Sequence, residues 1–145
     1  MELNNPHVVE QVRQNSDRYE MALANNDTRT LDELFWAGPE AVRYGVGENL
    51  YGAREIATFR RARNGGSPQR SILRRVITTA GIHTPVVSLE FPPPNSPPTG
   101  RPMQTWTTTY DGSQTLAPHF SLPAPHPDTA QHRLQDRATP HLHPP

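Results

Sequence analysis

Within the stretch AVRYGVGENLYG, Ala41 to Gly52, an alternating run sets Arg43 between Val42 and Tyr44, then places three glycines and a Glu-Asn pair close behind it. A guanidinium keeps its proton and is costly to bury unpaired. Alternation points Val42 and Tyr44 to one face of a strand and Arg43 to the other, so something must meet that charge. A planar carboxylate suits the forked donors of arginine. The residues leave two answers open: a carboxylate ligand in a cavity, or a structural pair with Glu48 or Glu90.

The remaining charge is distributed unevenly. All fourteen basic residues are arginine, seven of them between Arg54 and Arg75, yet the formal net charge is zero. A neutral chain without basic-aromatic interleaving is not built as a general polyanion binder, so no nucleic-acid partner is expected. The cluster reads as a solvated face carrying one or two functional arginines. The absence of cysteine excludes disulfides, thiolate nucleophiles and cysteine-ligated zinc. GVGENLYG does not match the dinucleotide fingerprint, and no phosphate-binding loop or metalloprotease motif is present. His126, His132 and the HLH at 141–143 lie in a proline-rich end segment, so neither metal nor cofactor is expected. No run approaches the roughly 20 apolar residues of a membrane span, and the first residues lack a signal pattern. A cytoplasmic protein without membrane contact is the expectation.

Helices come first. Val9, Val12, Ser16, Tyr19 and Leu23 follow helical spacing, which predicts a helix from Pro6 to Ala24 capped by Asn4 or Asn5, with Tyr19 turned inward. Thr28 to Phe35 reads as a second helix with Asp27 as its cap, and Gly38-Pro39 stops it. A strand over Ala41 to Val46, a glycine turn and a third helix over Ala53 to Arg63 follow, Ile56 and Phe59 facing the core. After Asn64–Pro68 the period changes to two. Strands are predicted over Ser71–Thr79, Val86–Phe91, Met103–Tyr110 and Thr115–Leu122, the last two joined by a turn at Asp111-Gly112. Helices followed by an antiparallel sheet describe an α+β domain with a pocket between its layers. Covering one sheet face leaves the other partly apolar. Val87, Leu89, Phe91 and Met103 are expected on that uncovered face, where a second copy would bury them.

At 145 residues the chain is long enough for one domain and a tail. Only 33% of it is hydrophobic, and fourteen of its seventeen prolines lie from Pro85 onward. Residues 123–145 carry no large apolar side chain except Leu134 and Leu142, too little to offset the entropy of ordering. The expected division is a domain over 1–122 and a disordered tail over 123–145.

At Asn5-Pro6, Tyr19-Glu20, LDELFW, VRYGVGENLYG, FRRAR, VITT, QTW and HFSL the chain resembles the AtzH-like family, which includes the oxalurate-catabolism proteins called HpxZ. The resemblance covers about residues 1–122, and Leu31 to Arg63 is its most specific part. It implies the cone-shaped fold of the nuclear-transport-factor-2-like superfamily, commonly dimeric, and association with amidases of nitrogen catabolism. It implies an amidohydrolase acting on a small carboxylated urea or amide, of the 1,3-dicarboxyurea to allophanate type, with Tyr19 and Arg43 as the catalytic pair. The other reading is a non-catalytic ligand-binding or accessory module for a partner amidase.

Amide hydrolysis needs charge stabilisation at the carbonyl oxygen and a route for protons. Tyr19, a phenol of reference pKa about 10, is a poor base and a better hydrogen-bond donor or acid. Arg43 holds substrate charge. The expected substrate-binding set is Glu48, Arg60, Arg63, Arg75, Gln104, Trp106 and His119. Gln104 and Trp106 share a strand face, where Trp106 either lines the pocket or packs in the core. His119 either relays protons or is structural. The family's tryptophan after the hairpin turn is replaced here by Ser113 to Thr115, and Pro118 removes a strand donor, which fits an edge or bulge. Truncation after Leu122 is expected to move the melting temperature by less than about 2 °C, since the tail offers no core residues. A larger drop in a thermal scan would show that the tail docks.

Overall fold

A computed structural model describes residues 1–65, 70–92, 100–109 and 112–121. The expected tail and the turn residue Asp111 lie outside the described residues. Helix α1 spans Pro6–Ala24. Asn5 Oδ1 accepts from the backbone N–H groups of His7 and Val8 at 3.0 and 3.4 Å, and Pro6 occupies the first turn, where its missing donor costs nothing. The inward stripe is Val8, Val12, Ser16, Tyr19, Ala22 and Leu23, so Val8 rather than Val9 begins it. Helix α2, Thr28–Leu34, is capped by Asp27, whose carboxylate accepts from both the backbone and the hydroxyl of Thr30. Those two bonds hold the Asp27 carboxyl below the usual carboxylate range.

Two short strands, β1 (Val42–Tyr44) and β2 (Asn49–Tyr51), form a hairpin closed by the Gly45 N–H donating to the Glu48 carbonyl at 2.8 Å. The sequence reading did not separate β2, which is three residues long. Gly52, at φ +84°, makes the left-handed step into helix α3, Ala53–Ala62. Strands β3 (Arg74–Ala80), β4 (Thr84–Glu90), β5 (Arg101–Thr109) and β6 (Gly112–Ser121) follow. The six strands lie in the order β2-β1-β6-β5-β4-β3, and a register shift at Thr105/Trp106 adds curvature. Strand β6 is therefore internal, so of the edge or bulge expected around Pro118 the edge is absent and the register shift opposite Ala117 lies next to it. Strand β6 meets β1 only at Tyr44↔His119 among the described residues, so its β1 flank makes few of the bonds a proline would break.

Helix α1 crosses β3 and β4, α2 packs on α1, α3 and β6, and α3 covers the β1–β2 hairpin. Val12, Tyr19, Leu31, Phe35, Ile56, Val87, Leu89, Phe91 and Trp106 are buried between the layers. Val87, Leu89 and Phe91 are thus on the covered face, opposite to the expectation, because α1 lies across that side of β4. Of the four residues expected in the uncovered patch only Met103 stands there, 53% exposed. The uncovered row runs Val76, Ser88, Met103, His119 and Tyr44 across the ladders.

The face assignment has a direct test. Val87→Ala removes two buried methyl groups and is expected to cost about 1.5–3 kcal/mol in urea unfolding. A loss below about 0.5 kcal/mol, the level of a surface change, would put that row on the open side after all.

Candidate functional site

A cavity of about 220 Å³ opens between the second half of α1, the β1–β2 hairpin and the ends of β5 and β6. Its wall carries Tyr19 and Leu23 from α1, Arg43 and Glu48 from the hairpin, Arg70 from the segment before β3, Gln104 from β5, and Pro118, His119 and Phe120 from β6. The helical period that buries Val12 and Ser16 also turns Tyr19 inward. Strand alternation does the same for Arg43, opposite Leu50, while Tyr44 faces out.

Arg43 is held by one hydrogen bond and one ring contact. Its Nη1 donates to Glu48 Oε1 at 2.5 Å, and its guanidinium lies over the Phe59 ring, 5.2 Å from the centroid. The structural pairing with Glu48 therefore exists, and the arginine still lines the cavity with its other nitrogens unspent. Glu90 stands far across the sheet, opposite Arg74, and plays no part. Glu48 is steadied by the Gly47 N–H at 3.3 Å, and its carboxylate lies against the α-carbon of Gly45, where any side chain would collide with it. That close approach is the reason for a glycine at 45.

Tyr19 is 4% exposed and its ring meets Trp106 edge-on at 6.1 Å. Among the described residues its hydroxyl has no hydrogen-bond partner, and it reaches the cavity wall. Trp106 is wholly buried and belongs to the core, which settles its two readings in favour of packing. Its indole N–H donates to Gln104 Oε1 at 3.2 Å. His119 sits on the rim, with its ring edge-on to Tyr44 at 5.8 Å.

The secondary arginines divide. Arg63 closes α3 behind Arg43, 5.9 Å from the centroid of the same Phe59 ring. Burial first, and the Arg43 cation next, hold its guanidinium below the ordinary arginine range, against the pull of Tyr19 and Glu48. Arg63 is not a wall residue but adds positive potential behind the wall. Arg60 is nearly fully buried away from the cavity, paired with Asp32 at 3.4 Å and stacked on Phe35 at 4.2 Å, in the cleft between α2 and α3. Arg75 reaches Asp17 at 2.6 Å and Ser16 at 3.3 Å and ties β3 to α1. Neither enters the site, which corrects both expectations.

Arg70 was missed. It lines the cavity, stacks on Phe91 at 4.0 Å, and binds Glu20 through two parallel bonds of 3.0 and 3.1 Å. That pair spans fifty positions, so no local pattern announces it; the only hint is that Glu20 follows the inward Tyr19. Arg70 spends its fork on Glu20, whereas Arg43 keeps most of its own open. Among the described residues no group of three or more His, Asp or Glu side chains could hold a metal ion, and no helix is long and apolar enough to cross a membrane.

The AtzH-like family matches residues 1–125. Among solved structures, the chain is similar to a protein of unknown function of the DUF3225 family from Pectobacterium atrosepticum, at 44% identity and TM-score 0.80 over 84% of this chain and 95% of that one. A cystatin-like fold protein from Burkholderia xenovorans is 40% identical, with TM-score 0.80 over 87% of this chain and 99% of that one. A nuclear transport factor 2-like superfamily protein from Salmonella enterica serovar Typhimurium shares the fold at 20% identity and TM-score 0.66, over 83% of this chain and 94% of that one. No curated protein matches. Helices packed on a curved sheet, antiparallel except where β1 runs parallel to β6, around an arginine-bearing cavity are thus the nuclear-transport-factor-2-like architecture, and the chain belongs to the AtzH-like family.

Proposed function

We propose that the cavity binds a small carboxylated urea or amide and hydrolyses its C–N bond with side chains alone. The observation that carries this reading is Arg43: one N–H is spent on Glu48, and the rest of a part-buried fork lines the same cavity as the Tyr19 side chain. A carboxylate on Arg43 sets the adjoining carbonyl near Tyr19. The phenol donates a hydrogen bond to the oxygen as negative charge develops there, and it can pass a proton to the departing nitrogen. Glu48 is the carboxylate on the described wall, placed to accept the proton of an attacking water once the substrate's own carboxylate shares Arg43. Water adds to the carbonyl carbon, the C–N bond breaks, and the nitrogen leaves protonated. No external oxidant or reductant enters.

One observation favours a second reading, a binding or accessory module for a partner amidase. Glu48 is already ion-paired with Arg43 in the free protein, so its oxygen is occupied unless a ligand displaces it. Both readings need the same clamp.

Arg43→Lys keeps the charge and loses the two-pronged geometry, so affinity for the carboxylate is expected to fall about ten- to a hundredfold with the fold intact. Calorimetric titration checks it, and an unchanged affinity would remove Arg43 from the site. Tyr19→Phe separates the two readings. With 1,3-dicarboxyurea in a coupled assay, an enzyme loses turnover with little change in binding, whereas a binding module shows no turnover in either form.

We also propose that the uncovered sheet face, with Val76, Met103, Tyr44 and Tyr51 exposed, meets a second copy. A symmetric dimer buries the same row twice. Light scattering at micromolar concentration should report twice the chain mass, and a monomer there would overturn the proposal.

A further inference from the structure

Gln104 is 2% exposed and lines the cavity, and its only hydrogen bond among the described residues comes from Trp106. Chemistry fixes which end of its amide makes that bond. An indole N–H can donate and cannot accept, so Gln104 must offer its oxygen to Trp106. The amide cannot turn over without facing NH₂ against N–H and stranding a buried indole donor. Trp106 is wholly buried and braced edge-on by Tyr19, so the oxygen's partner is itself immobile. What remains for the cavity is the NH₂ group, two donors with no partner among the described residues.

From this we infer that Gln104 is a ligand-contacting residue whose NH₂ group binds an acceptor oxygen of the ligand, and that Trp106 is the positioning residue that keeps it a donor. The inference rests on the cavity taking a carboxylate or urea ligand and is independent of hydrolysis. The Tyr19 hydroxyl on the same wall can donate or accept, so the fixed donor of the subsite is the Gln104 NH₂ group. It therefore selects a carbonyl or carboxylate oxygen over a group that must itself donate. A glutamine serving only to satisfy Trp106 in the core would leave the cavity's preference unmoved when Trp106 is changed.

The test uses the full chain and two probes of nearly equal shape. N-carbamoylglycine carries a urea oxygen, and guanidinoacetate carries a cationic guanidinium with N–H donors in its place, so the wild-type ratio includes a charge effect and the change of the ratio in Trp106→Phe is what reads the Gln104 amide. Calorimetry should show that the wild-type protein prefers N-carbamoylglycine by about tenfold or more, and the Gln104 NH₂ resonances should shift on saturation. Trp106→Phe changes no charge and frees the amide to turn over, so the preference should narrow to about threefold or less. Gln104→Glu keeps an acceptor for the indole, so the Trp106 N–H resonance should stay in place while the preference reverses. Each comparison is a ratio within one variant, so a general loss of stability does not imitate it. A wild-type protein that binds both probes equally, or a preference unmoved in Trp106→Phe, overturns the assignment and leaves ligand binding by the cavity standing. Binding of neither probe overturns that wider reading as well.

Discussion

The Tyr19 ring standing edge-on against Trp106 at 6.1 Å joins the two layers of the domain at the point where core becomes cavity. On one side of the contact lie the buried apolar side chains of β4 and α2; on the other lie Arg43, Gln104 and open space. Burying a ring of this kind contributes about 3 kcal/mol, and the edge-to-face geometry adds about 1 kcal/mol. Because α1 carries Tyr19, that contact also sets where Leu23 and Glu20 fall. Glu20 in turn fixes Arg70 and completes the wall. Site and core share one framework, so a substitution at Trp106 acts on both.

Charge follows a second constraint. An arginine inside a small domain must be paired, stacked or left facing a cavity, and the part-buried arginines are resolved differently. Arg60 and Arg75 are spent on Asp32 and Asp17 and hold elements together. Arg70 is spent on Glu20 through both prongs. Arg43 has a single contact to a carboxylate that itself borders the cavity. Arg60, like Arg43, makes one hydrogen bond, so it is position on the cavity wall together with an open fork that sets Arg43 apart. Behind it, Arg63 raises the positive potential without being reachable from the wall.

Helices were legible because each is short, capped and one-sided: Asn5, Asp27 and Gly52 stand where the backbone needs them, and Tyr19 could be turned inward by counting. The inward row of β4 was also legible as a row, since Val87, Leu89 and Phe91 alternate with Val86, Ser88 and Glu90. Which face the helices cover was not, because strand alternation has two equivalent sides until a helix is laid on one. Arg43 and Glu48 are five positions apart in one hairpin and could be paired on paper. Arg70 and Glu20, Arg75 and Asp17, and Arg60 and Asp32 meet only after the chain has folded, so the same arginine type at similar spacing gave no means of sorting wall from brace.

The hairpin shows how few residues the site requires of the sequence. Gly52 is needed for a left-handed backbone that starts α3, and Gly45 for space, because the Glu48 carboxylate rests on its α-carbon. Gly47 has open surroundings and donates its N–H to that same carboxylate. The hairpin therefore binds its own glutamate from two sides and offers it to Arg43 at one point. A side chain at 45 would push Glu48 away and leave Arg43 without its hydrogen-bond partner, in a pocket whose walls already hold Arg70 and back onto Arg63. In the proposed function the tight turn belongs to the ligand site: its glycines decide how much of the Arg43 fork the protein keeps for itself and how much it leaves open to the cavity.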